Sequence, residues 1–202
     1  MSFLDWTNVP WTLPLNQTGE PTHFDLLTSN NIQEGKDGRL KFDDWKANAA
    51  KTSNLLVFTH AMSKISVKLT ADEGFPGYDY ETKNNANAKF QSTPKVTLLN
   101  YYYKGDVNVE TKVSTHTTEL GNTIAHPDIG SDGKAHFVHF YALVFPGNSF
   151  KDNDNVVRIE ADGNTYYVTA AQMNAAMKAV QGEGNTTYLQ GKHYIFNVTV
   201  KK

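Results

Sequence analysis

The segment from Ala61 to Thr70 constrains the fold most, because its polarity changes with every residue. One set of alternate positions contains the apolar residues Ile65, Val67 and Leu69, and the other contains Lys64 and Lys68. A period of two indicates a β-strand with one buried and one solvent-facing side. Just upstream, every residue from 55 to 58 is apolar, which predicts that the chain enters a core covered on both sides. On the alternation alone, Met62 is expected on the solvent-facing side with the lysines.

Further strand-like segments follow along the chain. The final one predicts inward side chains at alternate positions and polar residues between them. One helix is predicted after Thr169, which can cap it, because Met173, Met177 and Val180 form an apolar stripe at helical spacing. About eight strands with one short helix near 170–180 predict an all-β fold with minor α content, an antiparallel β-sandwich or barrel. The predicted strands lie at about residues 58–69, 95–103, 107–114, 135–145, 155–161, 165–168 and 192–201, with Tyr194, Phe196, Val198 and Val200 facing inward in the last.

Four other segments are predicted to be less regular. Residues 1–22 carry three prolines and two tryptophans, and we expect an extended segment lying across the fold. The stretch 29–41 is rich in polar residues and predicts an exposed loop, whereas residues 43–51 predict a short helix. A long polar loop is expected over residues 72–93. No repeat at a fixed spacing is visible, so a solenoid is not expected.

Composition excludes several functional classes. The chain has 202 residues, a formal net charge of −2 and 20% charged residues, so no electrostatic case exists for nucleic acid or an anionic membrane. All but two of the 19 basic residues are lysine, the exceptions being Arg39 and Arg158. The absence of cysteine excludes disulfides, thiolate metal sites and cysteine nucleophiles. No apolar run approaches the roughly 20 residues of a membrane span.

The histidines give little support for a metal site. His136 and His139 are three residues apart on a predicted strand, so they point to opposite faces and cannot share a metal ion. His60 lies among apolar neighbours and is expected to be buried and hydrogen-bonded locally. His116 and His126 are expected in polar turns. We therefore predict no metal site.

The acidic and hydroxyl residues form no recognisable catalytic arrangement either. The run from Asp152 to Asn155 begins like a calcium loop but lacks its glycine at position 6 and glutamate at position 12, so a turn is predicted. The acidic pairs at 72–73 and at 79 and 81 are predicted to be solvated loop residues. No nucleophile motif or glycine-rich phosphate loop is present. The sequence predicts a protein that is not an enzyme and needs no cofactor.

Three blocks of sequence, in this order, carry a family resemblance. They are residues 58–69 (FTHAMSKISVKL), residues 142–146 (ALVFP) with the later Asp162-Gly163 turn, and residues 189–200 (LQGKHYIFNVTV). Together they resemble the fimbrillin-like (Mfa-like) proteins, which are pilus subunits and surface adhesins of Bacteroidetes. The matches cover about residues 55–200.

The resemblance implies a fold and a location. It implies a transthyretin-like β-sandwich in which residues 1–202 form one N-terminal-type domain, with a weakly matched segment 1–45 and a core 46–202. The family's C-terminal domain, its export signal and its lipidated cysteine are expected to be absent from this chain. The protein is expected at the cell surface, in a fimbrium, with other pilin subunits and surface ligands of host or bacterial cells as its partners.

The resemblance also implies a mode of assembly. In such pili a subunit loses an N-terminal strand by proteolysis after a basic residue, and a strand of the next subunit fills the groove that is left. The contact is head-to-tail and therefore propagates a filament. Arg39 is the expected processing site, with Lys36 and Lys41 as competitors.

An alternative function remains open at this point. The chain could be a monomeric surface module that binds a glycan or another ligand. Its aromatic residues could stack on sugar rings if they were exposed, whereas buried aromatic residues would favour the pilus subunit. The candidates are Trp6, Trp11, Tyr101, Tyr102 and Tyr103.

Overall fold

The computed structural model describes residues 7–19, 24–29, 32–34, 40–42, 58–128, 137–181 and 186–202. Within these ranges the chain forms fifteen strands and one helix. They are β1 (Asn8–Thr12), β2 (Leu27–Ser29), β3 (Ile32–Glu34), β4 (Leu40–Phe42), β5 (Phe58–His60), β6 (Ser63–Ala71), β7 (Lys95–Tyr102), β8 (Lys104–Asn108), β9 (Ser114–His116), β10 (Leu120–Ile124), β11 (His126–Asp128), β12 (Phe137–Val144), β13 (Asn155–Ala161), β14 (Asn164–Thr169), α1 (Ala170–Gln181) and β15 (His193–Val200).

Two four-stranded sheets make up most of the fold. The first sheet has the order β10-β7-β13-β14, and all its neighbouring strands are antiparallel. The second sheet has the order β11-β12-β6-β15, in which β15 runs parallel to β6 and the other pairs are antiparallel. A smaller antiparallel sheet has the order β1-β8-β9, and β2–β5 and β3–β4 form two further pairs.

Both four-stranded sheets and α1 contribute to one hydrophobic core. In β6 the side chains alternate between buried and half-buried, so Ile65, Val67 and Leu69 all face the core. Met173 and Met177 of α1 are buried in the same cluster, as the helical spacing predicts. Full burial of one such side chain contributes about 1.5–3 kcal/mol, so this core is the main source of stability.

Local sequence explains how β13, β14 and α1 succeed one another. Asp162 and Gly163 have φ values of 47° and 80°, which is the left-handed pair of residues that a tight hairpin turn requires. The helix follows β14 directly and is capped by Gln172, whose Oε1 accepts the Thr169 N–H at 2.9 Å. The Ala170 N–H also donates to the carbonyl oxygen of Asp154. The predicted helix and the predicted turn at 162–163 are both confirmed.

The long strand predicted over residues 58–69 is interrupted. The chain bends after β5, so Met62 is 1% exposed rather than solvent-facing, and it joins a second hydrophobic cluster. Phe58, predicted to enter a covered core, is 55% exposed in the short β2–β5 pair. A change of direction moves the buried face, which strict alternation cannot anticipate.

The strand predicted over residues 107–114 is wrong. It consists of the end of β8, a turn, and the start of β9. The Asn108 Oδ1 accepts the N–H groups of Glu110 and Thr111, and Lys112 has a left-handed φ of 63°. An asparagine side chain that bonds its own following backbone favours a turn over a strand.

The less regular segments are partly as predicted. Residues 72–93 form turns, anchored by Phe75 and Phe90, whose rings meet edge to face at 5.1 Å. The predicted loop at 29–41 is wrong where it contains β3, because Ile32–Glu34 pair with Leu40–Phe42. The helix predicted at 43–51 lies outside the described residues. The described helix α1 lacks the length and apolar character that crossing a lipid bilayer requires.

Candidate functional site

Residues 7–19, which we call the N-terminal segment, lie in a groove of the fold as an added strand. Its strand β1 pairs with β8 in antiparallel register, from Asn8 opposite Asn108 to Thr12 opposite Lys104. In this sheet β1 is the outermost strand, so one neighbouring strand holds its backbone. A strand held at a sheet edge in this way can in principle be exchanged for another extended chain.

Beyond β1 the same segment continues along β10, the outer strand of the first sheet. The Ile124 N–H donates to the Leu15 carbonyl oxygen at 2.7 Å, and the Gln17 N–H donates to the Ile124 carbonyl oxygen at 2.9 Å. The Leu13 N–H donates to the Tyr103 carbonyl oxygen at 2.8 Å. The backbone of the N-terminal segment therefore satisfies donors and acceptors at an otherwise open sheet edge.

Apolar side chains stand at alternate positions of the N-terminal segment and differ in burial. Leu13 is buried in the second hydrophobic cluster, Trp11 is half-buried against it, and Leu15 is 39% exposed. The Trp11 indole Nε1 donates to the Phe24 carbonyl oxygen at 3.0 Å. The buried members of this cluster are Leu13, Ala61, Met62, Val107, Leu143 and Phe145.

Gln17 is the polar anchor of the N-terminal segment and is fully buried. Its Oε1 accepts the Leu143 N–H at 2.8 Å, and its Nε2 donates to the Leu143 carbonyl oxygen at 2.9 Å. A further bond runs from Nε2 to the Pro14 carbonyl oxygen at 3.2 Å. The amide thus replaces a neighbouring strand beside Leu143, where the short strand β11 no longer covers β12.

Two glycines allow this close packing. A Cβ atom on Gly121 would lie 2.4 Å from Cδ2 of Leu15, so the side chain of the N-terminal segment rests on bare backbone. A Cβ on Gly105 would lie 2.3 Å from the Thr115 carbonyl oxygen and 2.5 Å from the Phe145 ring. At Gly105 the neighbours are a backbone oxygen and a buried ring, so this position requires glycine. At Gly121 the neighbour is the end of the exposed Leu15 side chain, which can move aside.

The rim of the groove carries polar contacts. The Lys104 ammonium donates to Glu119 Oε2 at 2.7 Å, and the Tyr103 hydroxyl donates to the same oxygen at 3.0 Å. The hydrogen bond to Glu119 raises the pKa of Lys104, and the bonds from Lys104 and Tyr103 lower the pKa of Glu119. Lys104 and Glu119 are therefore both charged at neutral pH and form an ion pair at the rim of the groove.

The histidine predictions are partly wrong. His116 lies in β9, where its ring stacks on Tyr102 at 3.6 Å, and His126 lies in β11 rather than in a turn. His60 is exposed, because it belongs to the short strand β5, and its Nδ1 pairs with Asp25. His136 is outside the described residues. In the part of the chain that the structure describes, no three histidine or acidic residues are placed to hold a metal ion.

The acidic turns hold backbone groups. Asp154 Oδ2 accepts the Lys151 N–H at 2.9 Å, in the turn that precedes β13, and Asp152 Oδ1 accepts a bond from the Asn174 amide at 3.1 Å. Asp79 accepts a hydrogen bond from the Thr82 hydroxyl and bonds from two backbone N–H groups, which lower its pKa. The turn predicted from Asp152 to Asn155 is confirmed.

Among the described residues, the aromatic candidates for stacking on a sugar are buried or half-buried. Tyr101 is fully buried, and its hydroxyl donates to the Tyr188 hydroxyl at 3.3 Å. The Tyr102 ring stacks on His116, and the Tyr103 hydroxyl donates to Glu119 Oε2. Trp6 and the predicted processing site Arg39 both lie outside the described residues. Full burial, which would favour the pilus subunit, is found for Tyr101, whereas Trp11, Tyr102 and Tyr103 are half-buried.

Sequence reasoning missed Leu13 and Gln17, the two buried residues of the N-terminal segment. The alternation of Trp11, Leu13 and Leu15 was the available signal for a strand, although Pro10 and Pro14 weaken it. No comparable signal exists for Gln17, because its partner Leu143 lies 126 residues away.

Comparison with known proteins agrees with the sequence resemblance. A proposed cell adhesion protein from Bacteroides uniformis has a similar structure, with 17% identity and a TM-score of 0.60 over 100% of this chain and 64% of that one. A fimbrial protein from Bacteroides ovatus aligns with 17% identity and a TM-score of 0.40 over 95% of this chain and 30% of its own. No curated protein matches the chain. The model of the fimbrillin-like family matches residues 4–202, so this chain belongs to the fimbrillin-like family.

Proposed function

We propose that this protein is a structural, adhesive subunit domain of a bacterial cell-surface fimbria that assembles by strand exchange with neighbouring subunits. The observation that carries the proposal is the N-terminal segment, held at sheet edges with Leu13 and Gln17 buried in the groove. Membership of the fimbrillin-like family supports it. We assign the protein no enzymatic role, and residues 1–202 act as one N-terminal-type domain exposed outside the cell.

Strand exchange would follow from what departure of the N-terminal segment uncovers. Val107, Leu143 and Phe145 would lose their cover, and the backbone of β8 would lose its partner on one side. Exposing apolar area to water costs about 25 cal/mol per Å². Leaving a buried backbone donor or acceptor without a partner costs about 1–3 kcal/mol per group. An extended strand of a neighbouring subunit with apolar residues at alternate positions would restore both. The contact is head-to-tail, so repetition gives a filament.

The proposed processing site is Arg39, with Lys36 and Lys41 as competing basic sites. Cleavage there would separate the N-terminal segment from every strand of both four-stranded sheets. The other arginine, Arg158, lies in β13, which has a neighbouring strand on each side, and a paired central strand resists proteolysis. An arginine-specific protease therefore tests Arg39 with little interference.

The experiment treats the intact protein with that protease and adds a labelled peptide of residues 7–19 as a surrogate donor strand. We expect cleavage at Arg39, followed by slow incorporation of the peptide as the original segment leaves. Size-exclusion chromatography with detection of the label measures the exchange. The Arg39→Lys variant is the matched control, because it keeps the charge but resists the protease, and it should incorporate no peptide. A cleaved protein that never takes up the peptide would contradict strand exchange.

A further inference from the structure

A separate, charged cleft of about 280 Å³ lies on the outer face of the second sheet. Three adjacent strands form its floor, because Leu143, Lys64 and His193 lie side by side in β12, β6 and β15. Asp25 and His60 form a wall beside this floor. The cleft shares Met62 and Leu143 with the second hydrophobic cluster, and its wall residue Asp25 precedes the proposed processing site Arg39. The cleft as described therefore belongs to the uncleaved chain.

One side of the cleft is cationic. The Lys64 ammonium lies 4.2 Å from the centroid of the Tyr141 ring, and Lys192 also lines the cleft. Among the described residues, no carboxylate lies within ion-pair distance of either lysine. His193 holds its Nε2 2.7 Å from the Ser66 hydroxyl, which fixes its ring. Two lysines without an acidic partner favour an anionic group in the cleft.

The wall offers a hydrogen-bond acceptor. Asp25 uses Oδ2 to pair with Nδ1 of His60, whereas its Oδ1 is buried and has no hydrogen-bond partner within the described ranges. A buried carboxylate oxygen without a hydrogen-bond donor is destabilising. A ligand hydroxyl placed here would supply that donor.

The remaining lining is apolar. Met62 and Leu143 are buried residues whose side chains border the cleft, and the Tyr141 ring lies beside them. The volume is just below the range of pockets that hold drug-sized ligands, so a single ring-sized unit fits. Few chemical groups combine an anion, a hydroxyl donor and an apolar face on one ring of this size.

We propose that this cleft binds a carboxylate-bearing sugar unit of a glycan, such as a uronic acid. The sugar carboxylate pairs with Lys64 and Lys192, a ring hydroxyl donates to Asp25 Oδ1, and the C–H face of the ring packs on the apolar lining. The site adds a ligand class to an adhesive subunit and, because Asp25 precedes Arg39, it is a site of the subunit before cleavage.

The test uses the full, uncleaved chain and isothermal titration calorimetry in physiological salt. The probes are a galacturonic acid trisaccharide, the corresponding neutral galactose trisaccharide and a short polyglutamate peptide. We expect the acidic sugar to bind about tenfold more tightly than either of the other two, since one charge-assisted hydrogen bond contributes about that much.

Two variants locate the site. Lys64→Gln should weaken binding of the acidic sugar about tenfold, while Lys68→Gln, on the same strand and the same face but outside the cleft, should leave it unchanged. Lys192→Gln provides a second variant in case Lys64→Gln disturbs folding, which thermal unfolding would reveal. Equal binding of the neutral sugar or the peptide, or an equal loss in Lys68→Gln, would overturn the proposal.

Discussion

The side-chain amide of Gln17 bonds both backbone groups of Leu143, with the N–H at 2.8 Å and the carbonyl oxygen at 2.9 Å. The two residues lie 126 positions apart, and the glutamine is fully buried. One side chain therefore imitates the ladder bonds of a missing strand. This contact ties the N-terminal segment to the second sheet more specifically than apolar packing alone can.

Replacing Gln17 with leucine should reduce the free energy of unfolding by about 3 kcal/mol, because the buried N–H and carbonyl of Leu143 would lose their partner. Urea unfolding followed by circular dichroism measures the change. Asn16→Ala is the control, since Asn16 is exposed and bonds the nearby Thr18. Its effect should stay below about 1 kcal/mol. Equal midpoints for the two variants would show that the Gln17 contact adds little.

Gly105→Ala should destabilise the protein by about 2–3 kcal/mol, because the added Cβ would overlap the Thr115 carbonyl oxygen and the Phe145 ring. The matched control is Gly19→Ala in the N-terminal segment, where nothing lies within 4 Å of an added Cβ. Thermal or urea unfolding compares them. If both variants unfold at the midpoint of the unmodified protein, the close approach at Gly105 is not as described.

The Asp162 carboxylate, 2% exposed, makes stability depend on acidity. Burial raises the pKa of Asp162, but the N–H groups of Gln91 and Ser92 and the Lys202 ammonium outweigh burial and hold this pKa below its ordinary value. At pH values between the native pKa and the unfolded pKa, which is near ~3.9, Asp162 is protonated in the unfolded chain but ionised in the native protein. The stabilisation is therefore complete above the unfolded pKa and is lost as pH falls through the native pKa.

Asp162→Asn tests this dependence, and asparagine suits the left-handed φ of 47° at this turn. We expect the variant to be less stable than the unmodified protein at neutral pH, with the difference shrinking as the solution is acidified. Unfolding free energies measured across the acidic range give the comparison. Asp106→Asn, at an exposed position of β8, serves as the control. A difference that stays constant with pH would exclude an ionised Asp162 as the cause.

Burial should keep two tyrosines from ionising in the native protein. Burial raises the pKa of Tyr101 and of Tyr188, whose hydroxyls lie 3.3 Å apart. Above the unfolded tyrosine pKa, near ~10, the native protein binds more protons than the unfolded chain, so this stabilisation is complete below that pKa and is lost at higher pH.

An alkaline titration followed by phenolate absorbance checks the prediction. The two residues should ionise together with cooperative unfolding, and Tyr101→Phe should reduce the amplitude of that late phase. Tyr80→Phe, at an exposed position, should leave the late phase unchanged. A smooth titration without a cooperative step would contradict the buried pair.

The parts of the fold predicted from sequence are those where one face alone is buried. In β6, β15 and α1 the spacing of Ile65, Phe196 and Met173 follows the period of a single regular element. Such periodicity is local, so no knowledge of the partner strand is needed. The fimbrillin-like resemblance depends on blocks that include β6 and β15. For this reason both the family and the fold class can be predicted from the sequence.

The parts that escaped prediction depend on distant partners or on turns. The strands β1, β10 and β11 are short, and residues such as Leu120 are exposed, so their pairing leaves little local pattern. His60 has apolar neighbours in sequence, yet its strand lies in a minor pair at the surface. From sequence alone Gln17 would be assigned to the surface, because its hydrogen-bond partner Leu143 is distant in the chain. Burial of a polar group is decided by the partner that satisfies it.

The parallel pairing of β15 with β6 joins two segments that are far apart in the chain. Ser66 and His193, hydrogen-bonded neighbours across this pair, are 127 residues apart in sequence. A hairpin joins antiparallel strands, so it cannot bring β15 beside β6. The chain must instead close a long loop, at a cost in entropy, before it gains these contacts. Until β15 arrives, β6 is a strand with one unpaired edge. Wherever β15 is unpaired, the backbone groups along that edge of β6 are open to any extended segment nearby.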